Sequence, residues 1–264
     1  MSGFSVDPAV AALVRDATWV TVCSGAGMSA ESNVPTFRDA ETGLWERFDP
    51  TELATPEAWS ADSAMVWAWY QWRARLVRDA RPNAGHDAIA EWARRRTLMV
   101  VTQNVDDLHE RAGSTVTAHL HGSLFAPRCS NCGLPYSGID ADPDRATETL
   151  RVEPPSCPRC LSAVRPGVVW FGEPLPSDAW DRAADAAAGC DLLIVVGTSG
   201  LVYPAASLPE RALAAGIPVV EINPDPTPLS TSVTHFLQTT AGIGLPALLE
   251  HVPPTVPKQP PTVP

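Results

Sequence analysis

Two hydrophobic patterns alternate along the chain. Runs that are apolar at nearly every position, "TWVTVCS" (18–24), "TLMVVT" (97–102), "DLLIVVG" (191–197) and "IPVVEIN" (217–223), have the length of strands and the composition of strands covered on both faces. Between the later runs, "SDAWDRAADAAAGC" (177–190) and "AASLPERALAAG" (205–216) space their apolar residues three and four apart and read as helices. The N-terminal stretch reads as an amphipathic first helix. About seventy residues separate the first two strands and carry mostly helical spacing. Strand, helix, strand, repeated with apolar strands, predicts an α/β fold with a parallel sheet and helices on both faces.

Residues 129–160 interrupt this alternation with prolines, aspartates and turn residues, and predict an inserted module. The end of the chain, 252–264, is dominated by proline, valine and threonine and predicts an extended, poorly ordered tail. Hydrophobic residues make up 45% and charged residues 19%, which excludes a disordered chain. No apolar run approaches the roughly 18 residues of a membrane span, and the N-terminus lacks the basic and apolar segments of a secretion signal. A cytosolic protein without a membrane partner is expected. A net charge of −11 argues against stable binding to nucleic acid, which requires a broad basic surface.

Of six cysteines, Cys129, Cys132, Cys157 and Cys160 form C-x2-C-x24-C-x2-C. Two such knuckles supply four thiolates, enough to close a tetrahedral zinc site with no position for water, so one structural zinc is expected. Cys23 and Cys190 stand beside apolar strands and read as buried thiols.

The turn "GAGMSA" fits G-x-G-x-x-A directly after a strand. Gly25 permits the turn, Gly27 admits a pyrophosphate to the backbone, and Ala30 allows close helix-to-strand packing. The acidic residue usual about 20 residues further on is missing, so an ordinary dehydrogenase half is excluded. Asn223 and Asp225 in "INPD", and Gly197 to Ser199 in "GTS", follow strands and join the same crevice. A fourth loop, "TQNVDDLHERAG" (102–113), clusters Gln103, Asn104 and Asp106 at a strand end, where ligands bind. In "AHLHGS" His119 and His121 share one face of an extended segment, and one of them is a candidate general base. On a helix, Tyr70 and Arg73 of "WAWYQWRAR" lie on one side and can hold an anion; the alternative is an aromatic core stripe with a snorkelling arginine.

Taken together, "GAGMSAESNVPTFRDAETGLW", "TQNVDDLH", "HLHG", the four cysteines, "VVWFGE", "GTSGLVYPAA" and "EINPD" resemble, in order, the sirtuin family of NAD-dependent protein-lysine deacylases. The resemblance implies a discontinuous Rossmann-like large domain (1–45, 86–128 and 161–251), a helical lobe with the acyl pocket (46–85) and a zinc-binding module (129–160). It implies NAD as a consumed co-substrate. Gly25, Ala26, Gly27, Ser29, Ala30, Glu31, Thr36, Phe37, Arg38 and Trp45 would hold it, with Gln103, Asn104, Val105 and Asp106 around the nicotinamide ribose. Gly197, Thr198, Ser199, Asn223, Pro224 and Asp225 would face the adenosine side, and Ala241 the adenine.

His121 matches the catalytic histidine, with Asn104 and Asp106 beside it; His119 does not match. Val169, Trp170, Phe171, Gly172 and Glu173 would contact an acyl-lysine peptide, and Tyr70 and Arg73 coincide with the Y-x-x-R pair of members that remove succinyl and malonyl groups. Asn33 replaces a usual glycine and is expected to tolerate a left-handed backbone. A monomer is expected. Two other readings are an ADP-ribosyltransferase on the same scaffold and a non-catalytic zinc-bearing binding module.

Overall fold

The computed structural model describes residues 4–35, 45, 48–137 and 150–254. Thr36, Phe37 and Arg38, and the tail beyond residue 254, lie outside the described residues. The chain opens with α1 (Pro8–Asp16), whose N-cap Asp7 side chain accepts from Ala9 N–H, and enters β1 (Trp19–Ser24). The short α2 (Gly27–Ala30) follows, then four helices: α3 (Pro50–Leu53), α4 (Pro56–Ala61), α5 (Ser63–Asp79) and α6 (Ala84–Arg95). After β2 (Thr97–Thr102), α7 (Leu108–Arg111) and β3 (Val116–His119) complete the first half. The zinc-module ribbon pairs β4 (Arg128–Cys129) with β5 (Val164–Arg165), so it extends just past the 129–160 limits read from the sequence. The second half runs through α8 (Ser177–Gly189), β6 (Leu192–Val196), α9 (Ser207–Ala214), β7 (Val219–Asn223), β8 (His235–Gln238) and α10 (Ala241–Leu249).

Among the described residues, six strands form one sheet in the order β3-β2-β1-β6-β7-β8, and every neighbouring pair is parallel. Successive side chains on a strand point to opposite faces, and the sequence supplies apolar residues for both. Val20, Val22, Ile194, Val196 and Ile222 pack against α1, α6 and α10, whereas Cys23, Leu193, Val195 and Val219 pack against α8 and α9. Thr21 is a buried polar residue in the middle of β1, and its hydroxyl donates to Ala186 O of α8 at 2.8 Å. Cys23 and Cys190 are buried, and burial pushes the Cys23 thiol up to about 12, so it is a packing residue. Each fully buried aliphatic side chain contributes about 1.5–3 kcal/mol, which is why the two-faced strands lie at the centre of the sheet.

A third cluster, separate from the sheet, gathers Trp45, Leu53, Val66, Trp69, Tyr70, Leu124, Val168 and Trp170 into a helical lobe. Its main helix, α5, starts at Asp62, whose side chain accepts from Met65 N–H at 2.9 Å, and is buried around most of its circumference. No described helix is long and apolar enough to cross a membrane.

The chain winds from β1 outward to β3 on one side, then crosses to β6 and winds outward to β8. The reversal falls between β1 and β6, which makes the carboxyl ends of these strands the expected binding crevice. Three glycines close it from below. Gly25 N–H donates to Val196 O at 3.0 Å, Gly27 N–H to Gly197 O at 2.7 Å, and Gly197 N–H to Ile222 O at 3.1 Å. A Cβ on Gly27 would lie 2.8 Å from Gly197 Cα, and one on Gly197, at φ +61°, would lie 2.2 Å from Met28 N. Gly27 is therefore demanded by a neighbouring backbone, a constraint not visible in the motif. Ala30, expected to allow close helix-to-strand packing, is exposed.

A left-handed alanine costs about 1–2 kcal/mol and overpacking about 1–3 more. Gly197→Ala is expected to lower unfolding stability by about 2–5 kcal/mol, measured by urea denaturation, and a loss under about 1 kcal/mol would show that the strand ends tolerate separation.

Candidate active site

The loop after β2 is the hub of the crevice. Its Gln103 side chain donates from Nε2 to Thr198 Oγ1 at 3.1 Å, joining it to the loop after β6. Asn104 Nδ2 donates to Ser29 Oγ at 3.1 Å, and Ser29 Oγ donates to Asp106 Oδ2 at 2.9 Å, joining it to α2. The other Asp106 oxygen accepts from Leu108 N–H at 3.1 Å, at the start of α7. Burial raises the Asp106 carboxyl above its ordinary value, against the lowering effect of these two hydrogen bonds. Val105 contributes its carbonyl, which accepts from Leu124 N–H at 2.9 Å and ties the loop to the helical lobe.

His121 follows β3, with Nδ1 3.0 Å from Gln103 O. A carbonyl only accepts, so Nδ1 carries the proton and Nε2 keeps its lone pair. Burial lowers the pKa of His121, and the Gln103 carbonyl partly opposes this. A half-buried neutral imidazole with an unprotonated nitrogen is the equipment of a general base.

Beneath the crevice lies a group with no counterpart in the sequence reading. His109 Nε2 is 2.9 Å from Ser24 Oγ, Ser24 Oγ donates to Thr102 Oγ1 at 2.9 Å, and Thr102 Oγ1 accepts from Asn104 N–H at 3.0 Å. His86 packs edge-on against His109, with ring centroids 4.9 Å apart. Burial takes His86 down to about 4 and His109 to about 3, so both are neutral near pH 7. The signal available in sequence was a histidine in the first turn of each of two helices, which periodicity alone does not distinguish from surface.

On the other flank, the Asn223 amide donates to Thr198 O at 3.0 Å and to Glu221 Oε1 at 2.9 Å. Glu221 is fully buried and also accepts from Thr227 Oγ1 and Ser230 Oγ, each at 2.6 Å. This carboxylate fixes Asn223 and was hidden within an apolar strand. Pro224 and Asp225 are exposed beyond it, and Ser199 is half-buried. Glu31 accepts from Gly242 N–H at 2.7 Å and from Thr240 Oγ1 at 3.0 Å, which clips α2 to the start of α10 at the buried Ala241. Ala26 is half-buried beside Gly25, and Trp45 is buried in the lobe, 6.3 Å from the Trp72 ring.

The segment 168–173 bridges crevice and lobe. Val169 N–H donates to His121 O at 2.8 Å and Phe171 N–H to Ala54 O at 2.9 Å. Glu173 was expected to touch substrate, yet its two oxygens accept from Arg165 at 2.6 and 2.9 Å and from Trp170 N–H at 2.9 Å. It shapes the segment, with Gly172 in the left-handed region at φ +86° completing the turn. The Arg165 guanidinium stacks 3.3 Å from the Trp170 ring centroid. Phe171, and Leu201, Val202 and Tyr203 in the loop after β6, are exposed large side chains.

Trp170 Nε1 donates to Tyr70 OH at 3.1 Å, which leaves the phenol's own O–H as a donor. Burial raises the Tyr70 pKa, against the Arg73 charge. Arg73 is 6% exposed, donates to Pro35 O at 3.3 Å and lies over the Trp69 ring at 5.2 Å. Asn33, in the loop leading to Pro35, has φ +59°, the left-handed backbone its type tolerates.

The sulfurs of Cys129, Cys132, Cys157 and Cys160 all lie within 4.8 Å of one another, at 3.4 Å between Cys129 and Cys160 and 3.7 Å between Cys132 and Cys157. Tetrahedral zinc with bonds of about 2.3 Å sets its sulfurs about 3.8 Å apart. Backbone N–H groups of Asn131 and Cys132 point at Cys129 Sγ, and that of Arg159 at Cys157 Sγ, each at 3.4 Å, as donors that stabilise thiolates. Donor set and geometry fit a closed structural zinc site.

A parallel sheet with a loop crevice at its switch point, a zinc-knuckle module and a helical lobe defines a class of two-lobed nucleotide-binding protein. The profile described as Sir2 family matches residues 25–204, and the chain belongs to that family. An NAD-dependent protein deacylase of Mycobacterium tuberculosis is 54% identical over 234 residues, 89% of this chain and 98% of the relative. One of Methylococcus capsulatus is 51% identical over 240 residues, 90% and 94% of the two chains. Among solved structures, a Sir2 homolog–NAD complex superposes with a TM-score of 0.83 at 42% identity, covering 95% of each chain. A Sir2 variant with a deacetylated p53 peptide and 3′-O-acetyl ADP-ribose superposes at 0.78 with 27% identity, covering 91% of this chain and 96% of the other.

Because the zinc module has few apolar residues of its own, metal binding is expected to supply its folding energy. Metal analysis of the unfolded protein is expected to release about one zinc per chain, and Cys157→Ser to lose that zinc and lower the unfolding midpoint. A metal-free chain with an unchanged midpoint would reduce the four thiols to packing.

Proposed function

We propose that the chain is an NAD-dependent protein-lysine deacylase that accepts acyl groups ending in a carboxylate as well as acetyl. The observation that carries the deacylase reading is His121, whose Nε2 lone pair is set by the Gln103 carbonyl in the same loop that holds Asn104 and Asp106. The homologous deacylases and the solved complexes with NAD and acetyl ADP-ribose support it. The acyl oxygen of the modified lysine attacks the ribose carbon as nicotinamide leaves. His121 takes a proton from a ribose hydroxyl, that hydroxyl attacks the activated acyl carbon, and water completes release of lysine and O-acyl-ADP-ribose. The peptide lies extended between residues 168–173 and the exposed Leu201–Tyr203 side, held by backbone hydrogen bonds with little reading of sequence.

The acyl preference rests on Tyr70 and Arg73. A guanidinium held among aromatic rings pairs strongly with a carboxylate, because little water competes. The phenol adds a second donor, and acetyl offers neither a partner.

His121→Ala is expected to lower kcat/KM for deacylation about 10²–10⁴-fold while NAD still binds, as read by ligand-induced stabilisation. A base must be neutral to act, and burial lowers the pKa of His121. The wild-type rate is therefore expected to hold down to about pH 6.5 and fall only at lower pH. A variant that still consumed NAD in step with deacylation would remove His121 from the reaction, and mass spectra showing ADP-ribose fixed to the acceptor would favour transfer over deacylation.

Arg73→Met is expected to lower kcat/KM on a succinyl-lysine peptide about 30-fold or more, the effect of losing about 2 kcal/mol or more from a buried charge pair. The same variant should lose far less on the acetyl peptide. Equal losses on both would return Tyr70 and Arg73 to the aromatic core.

A further inference from the structure

His119, which the family resemblance leaves without a role, sits between two acceptors. Its Nδ1 is 3.3 Å from Asn104 O and its Nε2 is 2.7 Å from Glu110 Oε1. A carbonyl and a carboxylate cannot donate, so both ring nitrogens carry protons and the ring is an imidazolium. We propose that His119, as a cation fixed by Glu110, is a positioning residue that sets the Asn104 peptide and through it the crevice loop.

The path is short. His119 holds the Asn104 carbonyl, the adjacent Gln103 carbonyl holds His121, and the Asn104 side chain reaches Ser29 and Asp106. Two histidines two residues apart thus grip consecutive carbonyls of one loop. Only the outer one is charged, because only it meets a carboxylate.

The titratable and charged groups around His119 are Glu110 and His109 on α7, Asp106 in the loop and His121 on its own segment. Arg182, on α8, donates to Thr117 O beside it. Burial disfavours the His119 charge, but the Glu110 hydrogen bond and charge outweigh it and raise the pKa above the ordinary value; the same contact lowers Glu110 against its own burial. Above that pKa the ring loses a proton and one of its two grips.

This inference rests on the deacylase reading for its kinetic arm only. By ¹⁵N NMR at pH 7, His119 is expected to show two protonated ring nitrogens in the wild type, and in Glu110→Gln to lose the second proton at lower pH. In steady-state kinetics, His119→Gln is expected to raise KM for NAD about tenfold, the effect of one charge-assisted hydrogen bond. Its kcat should change little, and the acid limb belonging to His121 should stay in place. The wild type is expected to show an alkaline rise in KM, which should shift to lower pH in Glu110→Gln and vanish in His119→Gln. A neutral His119 at pH 7, or superimposable pH profiles of KM in wild type and Glu110→Gln, would overturn the proposal whether or not His119→Gln folds. Absence of any deacylation by a wild type that shows the imidazolium would instead count against the functional reading.

Discussion

The backbone of Gly27 lies against that of Gly197 with no room for a side chain between them, and the crevice exists because of that contact. Parallel strands end in loops that must turn away from one another or cross. Here the loops after β1 and β6 cross, joined by Gly27 N–H to Gly197 O, while Gly197 N–H reaches Ile222 O at the end of β7. Three strand ends are thereby held at fixed heights, and every polar group of the crevice is referred to them. Thr198 follows Gly197 and receives Gln103; Ser29 follows Gly27 and joins Asn104 and Asp106. A side chain at either glycine would move all of these together.

Above this floor the electrostatics are graded by burial. His86 and His109 lie deepest, are desolvated and remain neutral. His121 is half-buried, with a pKa below the ordinary value, and meets only a carbonyl. His119 is shallower and faces Glu110, which makes the charged form the stable one. Four imidazoles of one intrinsic basicity are thus assigned different protonation states by depth and by a single carboxylate. On the proposed function, a neutral base beside a fixed cation suits an anionic co-substrate: the base would remain available for a proton, and the cation would hold the loop without competing for it.

The four central strands were legible because they are apolar on both faces, whereas of the two edges one showed only as the extended segment at His119 and the other not at all. β3 (Val116–His119) and β8 (His235–Gln238) are the edges, each four residues long and only partly buried, so they lack the continuous apolar run. The zinc cysteines were legible from spacing alone, since two knuckles admit few other uses. What sequence could not supply was pairing across distance. Glu221 reads as a polar interruption in a strand until Thr227 and Ser230 close on it, and Glu173 reads as a loop acid until Arg165 does. The G-x-G motif was legible as a turn, but the demand for its second glycine comes from Gly197, some 170 residues away.

The helix bearing "WAWYQWRAR" answers to both of its possible readings at once. Trp67 and Trp69 are both buried, and Trp69 packs in the lobe's cluster, as a core stripe requires. Tyr70 and Arg73 are buried to nearly the same degree, and here physical cost separates the roles. A tryptophan gains from burial, whereas a guanidinium taken from water loses hydration that its contacts, a backbone carbonyl at 3.3 Å and a ring at 5.2 Å among them, must replace. An aliphatic residue at position 73 would pack the lobe at lower cost. The structure instead keeps a desolvated cation one helical turn from a phenol that Trp170 already orients. The large surrounding aromatic cluster holds both side chains in place, and under the proposed acyl preference it is between these two that the distal carboxylate would enter.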